Sequence, residues 1–182
     1  MPTTMPASTT KLGWQEYRAL PDDGLRREIL DGEVVVTPSA GSPHQGTQIA
    51  LAFELFRSIQ RPRHGRVFTD LDCQLGPHDI VRPDVLVVLP EHAHRILKAK
   101  VHGTPGLAVE ILSPSTARRD RTRKLRRYEA AGTPELWLVD GAARTVLQFV
   151  HDGTTFRTPV VRRRSVRPAV LPGVVIPLRA IW

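Results

Sequence analysis

The chain has 182 residues, enough for one domain with a sizeable core, and 41% of them are hydrophobic. A net charge of +8 points to an anionic partner, nucleic acid first, against the plainer alternative of an arginine-rich composition. No apolar run is long enough to cross a bilayer. The single cysteine, Cys73, excludes an internal disulfide and a cysteine zinc cage and makes a reducing cytoplasm the simplest home.

The opening MPTTMPASTT lacks the apolar stretch of a signal peptide and reads as a loose tail over residues 1–10, leaving 11–182 as one domain. Lys11 to Leu20 predicts a short amphipathic helix stopped by Pro21. Asp31-Gly32 between two apolar runs predicts a hairpin. Ser42, with Pro43 behind it and Gln45 three residues on, matches a capping box. The helix it opens would bury Ile49, Ala52, Phe53, Phe56 and Ile59 on one face and end near Arg61-Pro62. Three strands follow, over Arg66–Gly76, Ile80–Leu89 and Leu107–Leu112, with a polar, histidine-containing loop from Pro90 to Gly106. A second long helix starts at Ser115 or Thr116 and closes at Gly132 and Pro134. Glu135–Asp140 is a further strand, and a hairpin turns at Asp152-Gly153. A basic loop and a short terminal strand complete the chain. This order predicts an α/β (α+β) fold: a single mixed sheet flanked by helices, with extra hairpins at both ends.

Two of these strands carry an acid among apolar residues: Asp84 in IVRPDVLVV and Glu110 in LAVEIL. A buried carboxylate is unfavourable unless it is paired, hydrogen-bonded or metal-bound. On neighbouring strands about 4.8 Å apart, two such side chains can share one divalent cation, and oxygen donors favour Mg²⁺ or Mn²⁺. The competing reading is an ion pair with a core arginine. Lys124 shares a helical face with Tyr128 and Ala131. It either swings its ammonium to the acids, where it would offset charge developing on a phosphorus centre, or lies solvated over apolar neighbours. Asp120, one turn earlier, pairs with Lys124 or holds it in place.

RPDVLVV followed by LAVEILSPSTARRDRTRKLRRYEAAGTPELWLVD closely resembles the Uma-two family, described as putative restriction endonucleases of the PD-(D/E)XK phosphodiesterase superfamily. EILDGEVVVTPSAGSPHQ and GRVFTDLDCQLG extend the resemblance over nearly the whole chain from Trp14. It implies a restriction-endonuclease-like fold and a metal-dependent endonuclease acting on DNA. Asp84 corresponds to the superfamily aspartate and Glu110 to its second acid. Leu112 stands where the general pattern has lysine, and the resemblance moves that function to Lys124. Glu33, just after the hairpin turn, is then an accessory metal ligand or a solvated carboxylate. His44 faces the site or decorates its helix. His92 and His94 have metal-like spacing but no further ligands nearby.

Arg118, Arg119, Arg121, Arg123, Arg126 and Arg127 cannot all face inward with Lys124; they track phosphates beside the cleft or form an ordinary wet face. VVRRRSVR is a second basic loop with the same two readings. Homodimerisation fits cutting of both strands. The alternative to a nuclease is a catalytically inactive member of the fold that binds nucleic acid or protein.

Overall fold

The Asp31-Gly32 turn sets the first hairpin. Both residues take positive φ, 56° and 81°, as a type I′ connection requires, so Arg26–Leu30 (β1) pairs antiparallel with Glu33–Thr37 (β2). The computed structural model describes residues 10–37, 39–112 and 120–182. A one-and-a-half-turn helix, Trp14–Arg18 (α1), precedes the hairpin and is shorter than the sequence suggests.

The second helix, Ser42–Leu55 (α2), continues into a π-helical turn, Phe56–Gln60. Its cap is Gly41, and Ser42 is already helical. The expected capping box is absent, and Gln45 reaches back to the Ala40 carbonyl instead. The buried face also differs from expectation. Leu51, Leu55 and Ile59 are buried, while Ile49, Phe53 and Phe56 are exposed. Two interleaved apolar stripes satisfy the helical period equally. Polar satisfaction separates them: the observed rotation lets Gln48 Nε2 donate to the Asp84 carbonyl at 2.9 Å and to Asp70 Oδ2 at 2.8 Å.

Two of the predicted strands break in two. Arg66–Gly76 becomes Arg66–Thr69 (β3) and Cys73–Gly76 (β4), and Ile80–Leu89 becomes Asp79–Val81 (β5) and Val85–Val88 (β6). Pro83 lacks the N–H a ladder needs, so the chain leaves one sheet at Val81 and enters another at Val85. The expected single sheet is therefore divided into a six-stranded and a five-stranded sheet, with a separate two-stranded ribbon near the end of the chain. After a 3₁₀ turn at Pro90–Arg95 come Val101–His102 (β7) and Leu107–Ile111 (β8). A π-helical turn at Asp120–Lys124 leads into Leu125–Ala130 (α3). That helix ends on Gly132 at φ 69°, where Thr133 N bonds the Tyr128 carbonyl and Gly132 N the Glu129 carbonyl, a Schellman closure. The rest is Glu135–Asp140 (β9), Thr145–Val150 (β10), Val160–Arg162 (β11), Ser165–Val166 (β12) and Ile176–Pro177 (β13).

The larger sheet runs β11-β10-β9-β8-β6-β3, parallel only at β8–β9; the smaller runs β2-β1-β5-β4-β7, parallel only at β4–β7. One core lies between α2, the C-terminal segment and one face of the larger sheet, built from Leu51, Leu55, Val85, Val109, Trp137 and Val146. A second lies between the two sheets and α3, built from Leu30, Val81, Leu86, Ala108, Tyr128 and Leu138. Asp84 stands where the chain passes from one sheet to the other. No helix among the described residues is long and apolar enough to cross a membrane.

Candidate active site

Three acids come together at the crossing of the two sheets. Glu28 from β1, Asp84 from the crossing and Glu110 from β8 are 1%, 3% and 2% exposed. Glu110 points to the inter-sheet core because it alternates with Val109 and Ile111, which face α2. Asp84 Oδ2 accepts from the Ile111 N–H at 2.7 Å, which seats its carboxylate beside the Glu110–Ile111 peptide. The short Asp84–Glu110 link runs through this main-chain bond.

Lys124 enters from the helix that follows. Its Nζ lies 2.7 Å from each oxygen of Glu110 and 2.9 Å from Glu28 Oε1, and the side chain is 3% exposed. Tyr128, one turn on, donates its hydroxyl to Glu110 Oε1 at 2.7 Å. Burial, reinforced by Glu110, raises the Tyr128 pKa well above the ordinary phenol value, so this hydroxyl stays a donor. Glu28 Oε1 also accepts from Arg82 N at 2.7 Å.

Arg26 closes the other side. Its Nη1 is 3.0 Å from Asp84 Oδ1 and 3.2 Å from Asp70 Oδ1, and Nη2 bonds the Arg82 carbonyl. Burial opposes its charge, but Asp84, Glu110, Glu28 and Asp70 together raise its pKa. Burial also works against the Asp84 carboxylate. His44, Arg26 and the Ile111 N–H outweigh it, and Asp84 sits below the ordinary 3.8 and is ionised at neutral pH.

His44 sits in the first turn of α2 with Nε2 3.3 Å from Asp84 Oδ2. Its contact with Asp84 outweighs half-burial and raises its pKa above 6.5. The stabilisation from protonated His44 is therefore complete below pH 6.5 and is lost as pH rises through the elevated folded value. Asp84 works in the opposite sense, its contribution being present above 3.8 and lost as pH falls through its depressed value. Urea unfolding of the native chain is expected to weaken from pH 6 to pH 8 by more than that of His44→Gln; parallel pH profiles would show that the imidazole is not coupled to Asp84.

The other predicted residues lie apart. Glu33 is exposed and accepts from Arg123 Nη2 at 2.8 Å. Arg127 reaches Asp31 at 3.3 Å and Asp79 at 3.7 Å. Arg123 and Arg127 thus engage carboxylates of the neighbouring turns, while Arg126 of the same helix is exposed. Arg118 and Arg119 lie outside the described residues, as do the side chains of Asp120 and Arg121. His92 and His94 stand on the 3₁₀ turn with ring centroids 6.5 Å apart.

Sequence reasoning missed Glu28 and Arg26. The signal was present in RREIL, where an acid sits on a strand leading to buried Ile29 and Leu30.

A divalent ion can be tested against this donor set. Three buried acids face two cations, Arg26 and Lys124, which leaves one uncompensated negative charge when His44 is neutral. Mg²⁺ needs only one or two carboxylates, since waters and substrate oxygens complete its shell. Among the described residues no three His, Cys, Asp or Glu form a cage on their own. An ion shared by Asp84 and Glu110 would be an open one, and would need Arg26 to yield Asp84 Oδ1 and Lys124 or Tyr128 to yield an oxygen of Glu110.

No curated protein matched the chain. Among solved structures, it is similar to a protein described as a "putative nuclease belonging to DUF820 from Anabaena variabilis ATCC 29413". The TM-score is 0.77 at 20% identity, covering 93% of this chain and 97% of that one. Identity that low speaks for the fold alone. The family model described as "Putative restriction endonuclease" matches residues 14–179, from α1 to the last turn, and so spans every strand that supplies an acid: the chain belongs to the Uma2 family.

Proposed function

We propose that the protein is a metal-dependent endonuclease that hydrolyses DNA phosphodiester bonds. The observation that carries this reading is the buried ammonium of Lys124 against Glu110, delivered from the next helix where Leu112 leaves the usual lysine position empty. Asp84 and Glu110 would hold Mg²⁺ or Mn²⁺, which when bound lowers the pKa of a water and polarises a phosphate oxygen. Lys124 stabilises the charge that develops on the phosphorus centre. Glu28 and Tyr128 fix its position and that of Glu110. Ile111 N–H and His44 orient Asp84. The family description and the nuclease named among similar structures support the same chemistry. Paired copies would cut both strands of a duplex.

One observation favours a second reading, an inactive member that binds nucleic acid: both oxygens of Asp84 and of Glu110 already have protein partners. Plasmid and single-stranded DNA incubated with Mg²⁺, Mn²⁺ or EDTA separate the two. Cleavage with either metal and none with EDTA is expected, with linear product from paired copies. Binding without cleavage under both metals would replace the first reading with the second.

A further inference from the structure

A second basic feature lies outside the catalytic cluster. Arg144, Arg163, Arg164 and Arg179 converge with Pro177 and Trp182 on a cleft of about 480 Å³. All four arginines are exposed, and none has a carboxylate partner among the described residues. This contrasts with Arg26, Arg82, Arg123 and Arg127, each held by an acid. Four guanidinium groups drawn to one cleft repel one another unless an anion joins them. The indole and the proline ring add flat apolar faces, the usual partners of a sugar or a base.

The sheet register places this cleft relative to the acids. Val85 pairs with Val109, Ile111 with Val139, Thr145 with Asp140 and Val146 with Arg162. Asp84, Ile111, Asp140, Thr145 and Arg162 therefore lie along one end of the larger sheet. Arg144 sits in the β9–β10 turn at that end, and Arg163 and Arg164 follow β11 there. The turn also rests on α2, since a Cβ at Gly141 would lie 3.4 Å from Thr47 Oγ1, one helical turn from His44. From β6 to β11 is four strand spacings, or about 19 Å. That matches roughly five to six base steps of duplex.

We propose that this cleft binds the phosphodiester backbone of the nucleic acid whose scissile phosphate sits at Asp84 and Glu110, holding it some five to six nucleotides away. The inference rests on the nuclease reading and adds to it a second, sequence-independent contact. The guanidiniums take phosphate oxygens, and Trp182 packs against a sugar or base. Register on the substrate is then set by the distance between the two sites.

The test measures binding of a labelled 20-base-pair duplex by fluorescence anisotropy in EDTA, from 50 to 200 mM salt. The wild type is compared with Arg163→Gln/Arg164→Gln and with Arg61→Gln/Arg63→Gln. The second pair removes equal charge near the start of β3, where Arg66 pairs with Val88 at the end of β6 away from Asp84. Losing two phosphate contacts lowers the slope of log K against log salt by about 1.8, and that drop is expected only for the first variant. Equal slopes for the two variants, or an unchanged slope for the first, overturn the inference while leaving cleavage by the wild type to stand. A wild type that binds no duplex at 50 mM salt overturns the inference, while cleavage with Mg²⁺ or Mn²⁺ decides the nuclease reading separately.

Discussion

Lys124→Met is expected to destabilise the fold by about 3–5 kcal/mol, the cost of removing one partner from a buried ion cluster. The ammonium is 2.9 Å from Glu28 and 2.7 Å from Glu110, and neither acid is more than 2% exposed. Without it two buried carboxylates face each other, with the Arg82 N–H, Arg26 and the Tyr128 hydroxyl among the donors nearby. Methionine fills the stem's volume, so the loss reports charge and not a cavity. Urea unfolding followed by circular dichroism measures it. Replacing the whole cluster, Lys124→Met with Glu28→Gln and Glu110→Gln, is expected to recover most of the loss, because neutral isosteres leave no unpaired charge. A triple variant that folds with most of the stability restored assigns the loss in Lys124→Met to unpaired charge. A loss below about 1 kcal/mol, the range of an exposed pair, would show that the acids protonate or that water reaches them.

How much of this cluster the sequence reveals follows from one rule. An acid among Val, Leu and Ile stands out because its burial is unfavourable, and Asp84 and Glu110 both meet that description. Glu28 meets it less visibly. It lies in RREIL, where two arginines make the strand look half solvated, and only Ile29 and Leu30 mark the buried end. Arg26 is hidden for the same reason, since an arginine at a strand start reads as exposed and nothing local places Asp84 beside it.

Helix rotation and sheet membership were not legible either, for different physical causes. Helix α2 offers two apolar stripes, and the choice between them depends on what Gln48 bonds 22 and 36 residues away. Pro83 announces a break in a ladder but not that the chain changes sheets there. Local signals with their own chemistry held up better. The Asp31-Gly32 turn formed where both residues take positive φ, and Gly132 closed α3 in the same conformation.

Asp84→Asn is expected to lower the DNA cleavage rate by about 10²–10³, the loss on removing one preorganised electrostatic group from an active site. Asparagine keeps an oxygen for the Ile111 N–H, so the side chain stays in place. What disappears is the charge, and with it the balance at the crossing. Two acids would then face Arg26 and Lys124, and the excess that favours a cation would be gone. Arg26 retains Asp70 at 3.2 Å, so the fold keeps a partner for its guanidinium. Isothermal titration with Mn²⁺ is expected to show weakened binding in the variant. Because Asp84 is held below pH 3.8, its own protonation is spent well below neutrality. Between pH 6 and pH 9 the ratio of wild-type to variant rates should therefore carry no inflection from Asp84 itself, and any change there reports His44, whose raised pKa depends on Asp84. A ratio within threefold of unity would remove Asp84 from the chemistry. A full loss of cleavage with unchanged Mn²⁺ affinity would place the ion elsewhere and leave Asp84 a role in holding Arg26 and the Ile111 peptide.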